Sequence, residues 1–212
     1  MTKKRNIFFC FLYSFSIFVV SSFILITCKD LLRGETLGYN IGYVIIITIL
    51  YSIYRKKIKE DFKNFKTDFK KVFPKAFIVS IILIALETII ALVLGKLGIN
   101  SPNQMYATEL IRSNKLMILY SALLGPVFEE LCFRLPYHYS TNNKLITFIT
   151  YTVLFALVHL LSVSDILSLL YIIPYLLLGF GIAYPFYKSD NILMSTIVHI
   201  INNSLGIMLI LI

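Results

Sequence analysis

Glu129 and Glu130, with Arg134 one helical turn further on, stand in Leu123-Leu124-Gly125-Pro126-Val127-Phe128-Glu129-Glu130-Leu131-Cys132-Phe133-Arg134, at the end of an apolar run. Charges in hydrocarbon are costly unless they are paired, so such a cluster points to function before anything else. The spacing of Glu130 and Arg134 puts them on one helical face, where carboxylate and guanidinium neutralise each other. Glu129 projects about 100° away from that pair and is left for another task.

Two further apolar runs carry polar residues at the same helical spacing: Phe155 with His159, and His199 with Asn203. Together the three runs supply a carboxylate, two imidazoles and an amide, an inventory suited to activating water. A glutamate in a low-dielectric site can take a proton from water as general base and return it to a leaving amine. The imidazoles can orient that water, and an amide or imidazole N–H can stabilise the developing oxyanion. Equally, Glu129, His159 and His199 could be three ligands of a catalytic zinc with water in the fourth place. Both schemes, zinc or no cofactor, stay open at this point.

Each residue also has a purely structural reading. An intramembrane His or Asn commonly hydrogen-bonds between helices, and a Glu–Arg pair can simply fasten two of them. Glu87 matches no partner by spacing and is read as structural. What sets the others apart is their conjunction: two of the chain's three His residues fall in these runs, each a turn from another patterned residue.

The elements that must position these groups are membrane spans. Hydrophobic residues make up 58% of the chain and charged residues 15%, against ~25% charged in soluble domains. Apolar stretches long enough to cross hydrocarbon, which takes ~20 helical residues, recur along nearly the whole chain. The expectation is an all-α polytopic membrane protein, one domain over 1–212, with about seven transmembrane helices in one bundle. The expected spans are 7–27, 38–54, 75–95, 116–134, 145–161, 166–187 and 191–211. Pro174, Pro185, Gly179 and Gly181 predict a kinked or split sixth span.

The net charge of +9 would suggest nucleic acid in a soluble protein. Here it sits between spans, where anionic headgroups are the natural partner, and no nucleic-acid role is expected. Arg5 with Lys3 and Lys4, and the basic run from Arg55 to Lys71, place the N-terminus in the cytoplasm by the positive-inside rule. Within 55–71, Ile58, Phe62, Phe65 and Phe69 recur at helical spacing among lysines, the pattern of an amphipathic helix lying on an anionic inner leaflet. Cys10, Cys28 and Cys132 have no metal-ligand spacing, and their odd number argues against a disulfide framework. The run Leu25-Ile26-Thr27-Cys28 has a faint likeness to a lipoprotein cleavage site and is read as part of the first span.

The ordered motifs resemble those of the CAAX protease and bacteriocin-processing family of Abi-type intramembrane proteases, related to Ras-converting CAAX endopeptidases. That family's signature is Glu-Glu-x-x-x-Arg, then Phe-x-x-x-His, then His-x-x-x-Asn or Asp on successive helices. This chain has Glu129-Glu130-Leu-Cys-Phe-Arg134, Phe155-Ala-Leu-Val-His159 and His199-Ile-Ile-Asn-Asn203, with Leu135 where many members have Gly. The resemblance covers a protease-like core at 116–211. It implies Glu129 as the water-activating residue, Glu130 with Arg134 as its support, His159 and His199 as orienting groups and Asn203 as oxyanion stabiliser. It also implies peptide maturation or bacteriocin immunity as the biology.

The leading expectation is an intramembrane endopeptidase in a bacterial cell membrane. It would cleave a membrane-anchored or hydrophobic peptide within reach of the cytoplasmic leaflet. A non-catalytic immunity or regulatory protein acting by binding is the alternative, and an ion or proton relay is a third reading. One tension is built into the spans. At 1.5 Å per residue, Glu129 lies ~8 Å from the inner end of its span and His199 ~12 Å from Asn191, whereas His159 lies ~22 Å from Lys144.

Overall fold

The computed structural model describes residues 5–32, 35–161, 163 and 165–211. Lys3 and Lys4 of the N-terminal basic cluster lie outside the described residues. The described chain is helical nearly throughout: α1 Ile7–Leu31, α2 Glu35–Lys71, α3 Phe73–Lys96, α4 Pro102–Ser113, α5 Met117–Leu119, α6 Gly125–Phe133, α7 Leu135–His138, α8 Lys144–His159, α9 Ile172–Ser189 and α10 Ile192–Leu211. A π-helical turn, Tyr120–Leu124, joins α5 to α6, and a 3-10 turn, Leu167–Tyr171, leads into α9. Among the described residues the β structure amounts to an isolated bridge between Arg5 and Ser140.

The all-α membrane architecture is as the sequence led one to expect, and the count of about seven is approximate. Among the described residues five helices are long and apolar enough to cross a membrane: Ile7–Leu31, Thr36–Lys71, Phe73–Lys96, Leu167–Ser189 and Ile192–Leu211. The expected span 145–161 is the shorter α8, of 16 residues. The expected span 116–134 is a composite, broken by the π turn and carried past Arg134 by α7.

The bundle alternates direction, so its connections fall at two ends. One end gathers the start of α1 and the α2–α3, α7–α8 and α9–α10 connections. There the backbone N–H of Arg5 donates to Tyr139 O and that of Thr141 donates to Arg5 O, both at 2.8 Å, tying the entry of α1 to the end of α7. A buried polar knot holds α2 to α10 at the same end. Lys57 Nζ donates to Asp61 Oδ1 at 2.7 Å and to Asp190 O at 2.6 Å, while Ile192 N and Asn191 Nδ2 donate to Asp61 Oδ2 and Asp61 O.

Three local features depart from expectation. The sixth span is not split at its prolines or glycines: α9 runs unbroken from Ile172 to Ser189 with Pro185 inside it, and a 3-10 turn precedes it. Gly179 is instead a packing contact, since a Cβ there would come within 3.1 Å of Phe155 Cδ1 and Thr152 Cγ2. The stripe in 55–71 also turns partly inward. Ile58 is buried in the main core, and Phe65, Phe69, Phe73 and Phe77 stack in succession across the α2–α3 turn, leaving Phe62 exposed. Third, α4 interrupts the link between α3 and α5 as a short amphipathic helix, capped by Ser101 and anchored by Leu110 and Ile111 against Met117 and Ile207.

Candidate active site

The π turn is a local consequence of sequence. Gly125 N donates to Tyr120 O, five residues back, so Ser121 O would next look to residue 126. That residue is Pro126, which has no N–H to give. The orphaned carbonyl is taken by Asn203 of α10, whose Nδ2 donates to Ser121 O at 3.0 Å. On its other side the turn is propped by α2: the Tyr120 ring lies 4.9 Å from that of Tyr43 and stacks on that of Tyr39 at 6.0 Å. The α6 helix that follows delivers Glu129 and Glu130 from this fixed start.

Glu130 and Arg134 are both wholly buried, and Arg134 Nη2 lies 3.5 Å from Glu130 Oε1. Such a pair is costly unless further contacts complete it, and among the described residues they do so in part: Arg134 Nε, Nη1 and Nη2 and Glu130 Oε2 have no hydrogen-bond partner. His199 Nδ1 is 3.0 Å from Glu130 Oε1, and the guanidinium carbon of Arg134 sits over the Phe155 ring at 4.6 Å and the Tyr151 ring at 5.7 Å. Glu130 and Arg134 thus hold the helices around the centre and do not face the cavity.

The two imidazoles are oriented alike. His159 Nδ1 is 2.8 Å from Phe155 O, and since a carbonyl oxygen only accepts, Nδ1 carries the hydrogen. His199 Nδ1 likewise donates to the Glu130 carboxylate. Each ring therefore presents Nε2 inward, and both meet the same atom: Glu129 Oε2 lies 3.7 Å from His199 Nε2 and 3.9 Å from His159 Nε2. The Glu129 side chain keeps 24% of its surface exposed, into the cavity.

The depth tension of the sequence reading disappears here. Because α7 continues the composite helix past Arg134 to His138, Glu129 is further from the end of its span than the boundary at 134 implied. The continuation adds about 6 Å at 1.5 Å per residue, less than half of the gap; it is the 3.9 Å approach of Glu129 Oε2 to His159 Nε2 that puts the two at one level.

The structure brings all six expected residues, Glu129, Glu130, Arg134, His159, His199 and Asn203, into one neighbourhood drawn from α6, α8 and α10. Glu87 is elsewhere, on α3, accepting a hydrogen bond from Thr88 Oγ1 at 3.2 Å. For zinc held at ~2.0–2.1 Å by each ligand, neighbouring ligand atoms stand roughly 3.3 Å apart. The 3.7 and 3.9 Å separations are wider. Among the described residues no group of three or more His, Cys, Asp or Glu side chains is gathered closely enough to hold a metal ion, so the zinc ligand set is not assembled.

The centre opens into a cavity of 410 Å³ whose walls include Tyr120, Ser121, Tyr175, Asn202, Asn203 and Gly206, with Asn103, Gln104 and Thr108 of α4 at its rim. Sequence reasoning missed Tyr175 and all of α4. Tyr175 packs 5.2 Å from His159, ring to ring, and its hydroxyl bonds the Oγ of Ser101, which also accepts from Gln104 N at the start of α4. A Ser-Pro pair opening an amphipathic stretch was the available signal for that helix.

Comparisons with known proteins place the family likeness in the second half of the chain. Residues 112–205 match the family model described as Rce1-like, Type II CAAX prenyl endopeptidase, which bears out the resemblance carried by the three motifs. The UPF0177 protein YxdF of Lactococcus lactis subsp. lactis (strain IL1403) is 39% identical over 84 residues, 40% of this chain and 44% of that protein. The match thus spans less than half of that curated relative. No solved structure matches the chain.

Proposed function

From the Rce1-like character of residues 112–205, we infer that this chain is an intramembrane endopeptidase that hydrolyses a peptide bond with water activated by Glu129. The observation that carries the reading is the convergence of Glu129 Oε2 with the Nε2 atoms of His159 and His199, from three helices, at the floor of one cavity.

In this scheme water sits between Glu129 and the two inward Nε2 atoms. Glu129 takes a proton from water as its oxygen attacks the scissile carbonyl carbon. The carbonyl oxygen becomes an oxyanion, which the second amide hydrogen of Asn203 stabilises while the first stays on Ser121 O. The protonated Glu129 then gives its proton to the amide nitrogen, the C–N bond breaks, and a free carboxyl and amine result. Glu130, Arg134 and Phe155 act as positioning residues: they fix both rings through their Nδ1 hydrogens, so the Nε2 faces need no reorganisation when charge develops. The substrate class that fits is a membrane-anchored or hydrophobic peptide.

The test is digestion of a mixture of hydrophobic peptides by the purified protein in lipid vesicles. New termini formed by the wild type and lost in Glu129→Gln support the reading. Equal cleavage by both removes Glu129 from the mechanism.

A further inference from the structure

We propose that the cavity is entered from the membrane side opposite the basic end of the bundle, and that it admits an uncharged, extended peptide stretch presented there by an exported or membrane-anchored chain. This rests on the proteolytic reading of the site and adds the side and chemistry of its substrate.

The direction follows from which residues line the cavity. Along α10 the lining runs from His199 through Asn203 and Gly206 to Ile210, roughly 10 to 27 Å from Ile192 at 1.5 Å per residue. Asn103, Gln104 and Thr108 of α4 complete the rim, and α4 lies between α3 and α5 at the end away from the α9–α10 connection. Lys144 and Lys188 line none of this cavity.

Charge assigns the two ends. The α9–α10 end carries Arg55, Lys56, Lys59, Lys63, Lys66, Lys70 and Lys71 of α2, together with Lys75, Lys144 and Lys188. The α4 end balances Lys29, Lys96, Arg112 and Lys115 against Asp30, Glu109 and Asp165. By the positive-inside rule the first end is cytoplasmic, so the mouth faces out. The expectation of access from the cytoplasmic leaflet does not fit this geometry.

The lining also constrains the occupant. Among the described residues, apart from the two histidines, Glu129 is the one charged residue on the cavity wall, and the rim offers amides and a hydroxyl, groups that pair with a peptide backbone. A charged side chain entering would lose its hydration with no partner to replace it. The passage is open at Gly206, where a Cβ would meet nothing within 4 Å.

Two measurements test the proposal separately from proteolysis itself. In a Cys28→Ser background, Gln104→Cys and Lys188→Cys are treated with a membrane-impermeant maleimide in intact bacterial cells and after permeabilisation. Reaction of Gln104→Cys in intact cells, with Lys188→Cys reacting only after permeabilisation, is the expected result; protection of Gln104→Cys in intact cells, or reaction of both, overturns it. In right-side-out vesicles, neutral peptides added outside should be cleaved. Gly206→Phe, which adds bulk in open space, should lower that cleavage about tenfold or more while leaving Gln104→Cys labelling unchanged. Undiminished cleavage by Gly206→Phe, or equal cleavage of peptides carrying Lys or Asp at the scissile bond, overturns the substrate assignment. If neither wild type nor Glu129→Ala cleaves anything, the proteolytic reading fails while the labelling still reports the side of entry.

Discussion

Phe155 serves both halves of the centre at once: its carbonyl oxygen accepts the Nδ1 hydrogen of His159 at 2.8 Å, and its ring carries the Arg134 guanidinium 4.6 Å above its centroid. Arg134 in turn holds Glu130, and Glu130 holds His199. The two imidazoles that meet at Glu129 are therefore supported by one connected set of contacts. Phe155→Leu keeps the carbonyl and removes the ring face, so it should lower turnover about tenfold, with a stability loss of about 1–2 kcal/mol read by thermal unfolding in detergent.

Glu129 and Glu130 are adjacent in sequence and opposite in consequence. In the proposed scheme Glu129→Gln removes the water-activating carboxylate alone, and should cut turnover by about a thousandfold or more with the melting temperature unchanged. Arg134→Ala leaves Glu130 charged, buried and unpaired, and should destabilise by about 3–5 kcal/mol. Measured side by side, the two variants separate a group that does chemistry from one that positions it.

The π turn gives a prediction in which stability and turnover part. Pro126→Ala restores an N–H and lets the helix close on the carbonyl that Asn203 now occupies. Stability should hold, since Pro126 stands in the first turn of α6, where proline costs a helix little. Turnover should fall about tenfold as Asn203 is released. A variant equally stable and fully active would show that Asn203 is not held by the turn.

At the basic end, Asp61 accepts from Lys57 and from the N–H of Ile192, and both Lys57 and Asp61 are buried. Asp61→Ala should destabilise by about 3–5 kcal/mol, whereas Lys57→Met with Asp61→Leu should recover most of that loss by removing both charges together. Thermal unfolding of the single and double variants checks it.

Because Glu129, His159 and His199 stand wider apart than zinc ligands do, cleavage should survive prolonged treatment with a strong zinc chelator. Loss of activity restored by added zinc would require the three side chains to close around a metal.

Much of the site was legible because its chemistry recurs at one helical turn: Glu130 with Arg134, Phe155 with His159, His199 with Asn203. That spacing survives whatever the tilt of the helices. What the pattern could not carry was set by contacts between distant segments. The role of Phe155 as a carbonyl for one group and a ring for another needs α6 and α8 side by side. Hydropathy reads Pro102–Ser113 as a loop because α4 is short and half polar, yet that helix forms the rim of the cavity. The same averaging hid the continuation past Arg134, which accounts for part of the depth at which Glu129 meets His159. The aromatic stripe of 55–71 looked lipid-facing because periodicity shows that a face is apolar, not what covers it, and Phe73 and Phe77 of α3 cover part of it.

The central claim is that Glu129 makes this chain a protease. The most direct measurement compares, by terminal-peptide mass spectrometry, membranes and medium of a host lacking the protein and complemented with the wild type or with Glu129→Ala at matched expression. The account predicts new peptide termini with the wild type alone, absent with Glu129→Ala. Identical termini in both, with equal rescue of any phenotype, would contradict it and return the protein to a role in binding.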